Sequence, residues 1–177
     1  MSRKLDIVRC AERLMGMDEA AWQRHANPWS VYSRFTVLPM LSLAVCSRVW
    51  LGPWALLPVA VVLLWTWLNP RLFPAPASTE NWASQVTLGE RVYLARRLRA
   101  LPAHHLRAAR LLQGLSACGL PVWVYGLVSL NVWALILGVA WIMIFKAWFV
   151  DRMVWLYRDT RDGRGAPPPA ATRRACR

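Results

Sequence analysis

Residues 27–70 read NPWSVYSRFTVLPMLSLAVCSRVWLGPWALLPVAVVLLWTWLNP, about forty mostly apolar residues between two Asn-Pro dipeptides. Asn27-Pro28 reads as a helix start, an N-capping side chain followed by proline at the first helical position. A helix from Pro28 to about Ser47 covers roughly 30 Å at ~1.5 Å per residue, enough to cross a hydrocarbon core. Arg34 sits about two turns in and snorkels back to the starting side, with Trp29 and Tyr32 at headgroup depth. Pro39 predicts a kink. Residues 48–53, Arg-Val-Trp-Leu-Gly-Pro, form the far turn, and Trp54–Leu68 the return helix. A single helix over residues 35–68 would be about 50 Å long, too long for one crossing, so the stretch reads as a transmembrane hairpin.

A second apolar run extends from Leu111 to Val150, interrupted by one charge, Lys146. Forty helical residues span about 60 Å, so this run also folds back, with Ser129-Leu130-Asn131 as the break. The third crossing is then roughly Ala108–Val128, where Gly114, Gly119 and Gly126 offer close-packing surfaces and Pro121 a kink. The fourth starts near Asn131 and runs on to Arg158. The fold class is all-α, an integral membrane bundle of about four transmembrane helices in two hairpins with amphipathic surface helices.

Three regions are expected. Residues 1–26 form a basic arm and surface helix, with a short helix starting at Asp18. Residues 27–158 form the membrane domain, with a polar segment over residues 69–110. Residues 159–177 form a basic, Pro-rich disordered tail. Within the polar segment a helix over about Glu80–Ala100 gathers Trp82, Val86, Tyr93, Leu94, Leu98 and Leu101 on one arc, with Glu90 and Arg97 inside it.

The chain of 177 residues carries 22 Lys+Arg against 9 Asp+Glu, and 56% of it is hydrophobic. The basic residues flank apolar runs without any aromatic-basic recognition motif, so anionic lipid is the expected partner and nucleic acid is not. Only Arg48 falls in a far-side turn, and the positive-inside rule puts both termini and the segment 69–110 in the cytoplasm. No signal peptide is visible. Of 12 Trp, Trp29, Trp50, Trp54, Trp67, Trp148 and Trp155 fall near span ends, as interfacial indoles do, while Trp65, Trp123, Trp133 and Trp141 read as packing residues.

Four stretches converge at the cytoplasmic depth: His25–Ser30, Asn69–Pro74, Trp82–Arg91 and Lys146–Arg158. The candidate binding residues are His25, Asn27, Trp29, Asn69, Arg71, Trp82, Glu90, Lys146, Asp151 and Arg152. Basic groups pinned between aromatics suit a phosphate or carboxylate head group. Each also has a structural reading: Asn27 and Asn69 as helix-terminus residues, Lys146 as a snorkelling lysine, Asp151 with Arg152 and Arg158 as a salt-bridge set. Glu90, on an otherwise mostly apolar arc, wants a cationic partner, and Arg97, Arg71 or Lys146 are available.

No metal or cofactor is expected. His104 and His105 are adjacent, some 100° apart on a helix, His25 has no second well-placed ligand, and no G-x-S-x-G, phosphate loop or H-E-x-x-H is present. The four cysteines, Cys10, Cys46, Cys118 and Cys176, lack C-x-x-C spacing.

The set HANPWS (25–30), NPRLFP (69–74), Trp82, Gly89-Glu90 and Asp151-Arg152 resembles a family of small prokaryotic integral membrane proteins known as a domain of unknown function. The resemblance covers roughly residues 18–158. It implies a bacterial inner-membrane protein and transfers no activity. The sequence thus favours a non-enzymatic membrane protein whose rim binds anionic lipid, a protein partner or a second copy. An interfacial enzyme using His25, Glu90 or Asp151 as acid or base is the alternative, and a transporter or channel component the third.

Overall fold

A computed structural model describes residues 19–97 and 101–163. The basic arm before Glu19, the tail beyond Gly163 and the Arg97 side chain lie outside the described residues. Every described element is helical: α1 (Glu19–His25), α2 (Pro28–Phe35), α3 (Val37–Cys46), α4 (Arg48–Leu51), α5 (Leu56–Leu72), α6 (Trp82–Leu94), α7 (Ala103–Ser129) and α8 (Val132–Arg161). Short 3-10 turns occupy Gly52–Ala55 and Ala95–Arg97.

Three helical stretches are long and apolar enough to cross a membrane: Pro28–Leu72, Ala103–Ser129 and Val132–Arg161. The first has 45 residues and folds back on itself, α3 packing along α5. The reversal comes at Gly52, whose φ of +54° suits a residue without Cβ. Large apolar side chains along these helices face outward, among them Leu43, Val61, Leu63 and Ile144. Water would penalise such a surface, and lipid accepts it.

Local chemistry sets the breaks. The Asn27 side chain accepts from the Trp29 amide at 2.9 Å, and Pro28 opens α2. Pro39 has no N–H for the Phe35 carbonyl, and α2 gives way to α3 at Thr36. Between α7 and α8 the chain reverses at Leu130, with φ +55°, and Asn131 caps α8 by accepting from the Ala134 amide at 3.0 Å. The two arms of this hairpin pack at backbone contact. A Cβ on Gly126 would lie 2.5 Å from the Leu135 amide nitrogen, and one on Gly138 would lie 2.6 Å from the Trp123 backbone. Arg48 donates through Nη2 to the carbonyls of Leu127 and Val128. The far-side cation thereby caps the C-terminal end of α7, where the helix dipole favours it.

Several boundaries differ from expectation. The return helix starts at Leu56 because Gly52–Ala55 tightens into a 3-10 turn, and it continues through Pro70 to Leu72. Asn69 holds that end: its side chain is bonded to both Ser30 and Ser33 of α2. The surface helix stops at Leu94, and α7 begins at Ala103, directly after Pro102. Gly119 meets Trp141 and Ile142 closely, as a packing glycine should, whereas Gly114 faces open space. Trp133 is 81% exposed at the start of α8, so it is not the packing residue the sequence led one to expect. Leu94 is exposed too, in the last turn of α6.

A buried core lies at the end of the bundle where α6 docks. There Tyr93 of α6, Ala109 of α7, and Met153 and Leu156 of α8 are buried together, and Val86 packs on Val150 and Val154. At ~1.5 Å per residue, α8 is about 45 Å long, and its last turns clamp α6. Gly89 sits so close that a Cβ there would lie 2.0 Å from the Met153 carbonyl oxygen. Arg158 donates to Gln85 at 2.8 Å, and Arg161 pairs with Glu80 at 2.9 Å.

Candidate binding site at the polar rim

The corner between α1 and α2 leaves carbonyl groups without intrahelical partners, and α6 supplies them. Ser84 donates to the Ala26 carbonyl at 2.7 Å, and Thr87 donates to the His25 carbonyl at 3.3 Å. Asn27 also donates through Nδ2 to the Pro74 carbonyl at 3.0 Å. Asn69, with 0% exposure, accepts from the Ser30 hydroxyl at 2.7 Å and donates to the Ser33 hydroxyl at 2.6 Å. The two Asn-Pro dipeptides are therefore stitched to the same corner, each asparagine fully used as a structural hydrogen-bonding group.

Arg34 is the centre of this rim. Its Nε donates to the Ser30 carbonyl at 3.1 Å, and Nη2 donates to the His25 carbonyl at 3.2 Å and to the Thr87 hydroxyl at 3.5 Å. Nη1 donates to Nε2 of His25. A guanidinium has no acceptor, so Nε2 of His25 must offer its lone pair and Nδ1 must carry the proton. Burial, reinforced by the Arg34 charge, lowers the His25 pKa to about 3, so the imidazole is neutral. The Trp22 ring closes over it edge-on at 6.0 Å.

Glu90 lies on the same side of α6, one turn beyond Thr87. Burial raises its carboxyl pKa, and the opposite charges of Arg34 and Lys146 pull it back down. Arg34, which reaches Thr87 one turn earlier on α6, and Lys146 are thus the cations whose charge acts on Glu90. Arg71, expected as an alternative, turns back along its own helix, donating to the Trp67 carbonyl with its guanidinium 4.3 Å from the Trp67 ring centre.

Lys146 stands against Phe35, its Nζ 5.7 Å from the ring centre. Lys146 and Arg34 line the same cleft of about 300 Å³, whose other walls are Val37, Leu38, Leu41, Thr66, Ile142 and Met143. Two cations from separate hairpins thus share an otherwise apolar wall. Lys146 as a whole is surface-exposed.

Among the remaining expected residues, Trp82 donates to the Asp151 carboxylate at 3.1 Å and stacks on Tyr32 with ring centres 6.3 Å apart. Asp151 is therefore committed to an indole, and Arg158 is committed to Gln85. Arg152 and Trp29 are exposed on the outer rim. His25, Glu90 and Lys146 gather about Arg34, whereas Asp151, Arg71, Arg152 and Trp29 do not.

Sequence reasoning passed over Arg34 as a snorkelling residue. No local signal in the sequence names the groups on α6 and α8 that face it. His104 and His105, expected to diverge, have ring centres 4.1 Å apart at the start of α7. His105 pairs with Asp159 at 3.0 Å, and the three side chains bring their ligand atoms within 4.8 Å of one another.

No curated protein and no solved structure matches the chain. Residues 7–175 match the family of unknown function DUF6653, which leaves only short ends uncovered. The chain belongs to that family.

Proposed function

We propose that the protein crosses the bacterial inner membrane four times with both termini in the cytoplasm, and that it binds an anionic lipid at its cytoplasmic rim. One observation carries the binding reading: Arg34 and Lys146 line the head of a cleft that is otherwise apolar. Two cations at one end and aliphatic side chains along the rest match an amphiphile with a charged head and a hydrocarbon tail. The orientation rests on the Lys/Arg asymmetry of the sequence. Arg71 and Arg152, on the outer rim, contribute contacts to neighbouring head groups.

The interfacial-enzyme reading has less support. Nε2 of His25 is held by Arg34, which removes the lone pair a general base needs, and the Asp151 carboxylate accepts from Trp82 rather than facing Glu90.

Native mass spectrometry of the gently solubilised full chain tests lipid binding. The expected result is retained anionic phospholipid, lost in Arg34→Gln and Lys146→Gln and kept in Arg71→Ala. A delipidated mass for the unaltered protein would overturn the reading.

A further inference from the structure

The head of the cleft has a countable charge. Arg34 from α2 and Lys146 from α8 bring two positive charges to its wall. Glu90 comes one turn after Thr87 on α6, whose hydroxyl accepts from Arg34 at 3.5 Å, and it does not itself line the cleft; its carboxylate feels both cations and serves as their internal counter-ion. His25, the group facing Arg34 from α1, is a hydrogen-bond acceptor at Nε2 and brings no charge. Thr87 and Thr66 are neutral, and the Asp151 carboxylate is turned to Trp82. One unit of positive charge is left over.

We propose that Glu90 sets the ligand class, restricting the cleft to a lipid whose head group carries a single negative charge, such as a phosphodiester, and disfavouring a phosphomonoester carrying two. The inference rests on the anionic-lipid reading above. In a partly buried site each charge must be matched, because desolvation is repaid only by a partner in contact. A monoanion completes the set of two cations and one carboxylate. A dianion brings a second negative charge that the two cations lining the cleft do not match, and Glu90 repels it. Specificity of this kind comes from the repulsive element as much as from the attractive ones. The apolar walls at Leu38, Leu41, Ile142 and Met143 distinguish a lipid from a free anion, which would use the head of the cleft alone.

The test is a competition on the full chain in nanodiscs, read by native mass spectrometry. Phosphatidylglycerol and phosphatidic acid with identical acyl chains are offered in equal amounts, at about pH 8 where a phosphomonoester carries close to two charges. The unaltered protein is expected to retain phosphatidylglycerol in preference by about tenfold or more, and Glu90→Gln to shift the ratio toward phosphatidic acid by a similar factor. Lys146→Gln, which leaves the site neutral, is expected to lose both lipids, and it serves if Glu90→Gln fails to fold. Inorganic phosphate is expected not to displace the bound lipid.

Equal retention of both lipids by the unaltered protein, or a ratio that Glu90→Gln leaves unchanged, overturns the role of Glu90. Displacement by inorganic phosphate overturns the lipid class. Retention of neither lipid overturns the binding reading itself, which separates the two failures.

Discussion

The guanidinium of Arg34 donates to Nε2 of His25, and this contact fixes a neutral, Nδ1-protonated imidazole at the corner between α1 and α2. It ties the state of the rim to pH. The folded pKa of about 3 lies below the ordinary 6.5, so between those values the unfolded chain holds a proton that the folded chain does not. Stability from this group is complete above pH 6.5 and falls with acid, by up to about 1.4 kcal/mol per pH unit. Glu90 works in the opposite direction, since its raised pKa favours the folded state as pH drops. Thermal unfolding in detergent should therefore show a melting temperature that falls from pH 7 to pH 5, and a flatter profile in His25→Asn. A profile identical in the two proteins would contradict the assignment.

Asn69 closes the first hairpin with both ends of its amide. Replacing it by Leu strands the fully buried Ser30 hydroxyl, while Ser33 keeps its bond to the Ser30 carbonyl; a stranded buried group costs about 1–3 kcal/mol. A drop in melting temperature of several degrees is expected for Asn69→Leu. The triple variant that also carries Ser30→Ala and Ser33→Ala should recover part of it.

Gly89 and Gly114 make a matched pair. The Cβ of an alanine at position 89 would fall 2.0 Å from the Met153 carbonyl oxygen, while position 114 opens onto free space. Gly89→Ala should push α6 from α8 and cost about 3 kcal/mol or more. Gly114→Ala should be neutral, or stabilise by up to about 1 kcal/mol through helix propensity. Urea or thermal unfolding of the two variants side by side gives the comparison.

The proposed orientation predicts a labelling pattern. In a background with Cys10, Cys46, Cys118 and Cys176 replaced by Ala, a cysteine at Val49 should react with a membrane-impermeant maleimide added to spheroplasts. One at Ser78 should react only after permeabilisation. The reverse pattern would invert the topology.

Much of this architecture is readable from the chain because its determinants are local. Asn27-Pro28, Gly52-Pro53 and Ser129-Leu130-Asn131 each specify a cap or a reversal within a few residues. The meeting of the two Asn-Pro dipeptides at one depth follows from hairpin geometry alone. The continuation of α5 through Pro70 was not readable, because what holds that turn is a pair of serines 39 and 36 positions away. Arg34 was misjudged for the same reason. Periodicity assigns a side chain to a face of its own helix, and it does not say which residue of another helix will stand opposite. The residues opposite Arg34, namely Thr87, Glu90 and Lys146, come from two helices that the sequence places only by depth.

Arg34 and its counter-charge are separated by 56 positions (90 − 34), and this spacing bears on how the chain is made. The first hairpin holds its own polar seam, since Ser30, Ser33 and Asn69 all lie within it, and it can close as soon as Asn69 has left the ribosome. Arg34 by then has its bonds to the Ser30 and His25 carbonyls, but Glu90 is still within the ribosome and Lys146 far behind. During that interval the guanidinium has to stay among the lipid head groups. The seam between the hairpins, and the cleft with it, comes into being only when α6 and α8 arrive.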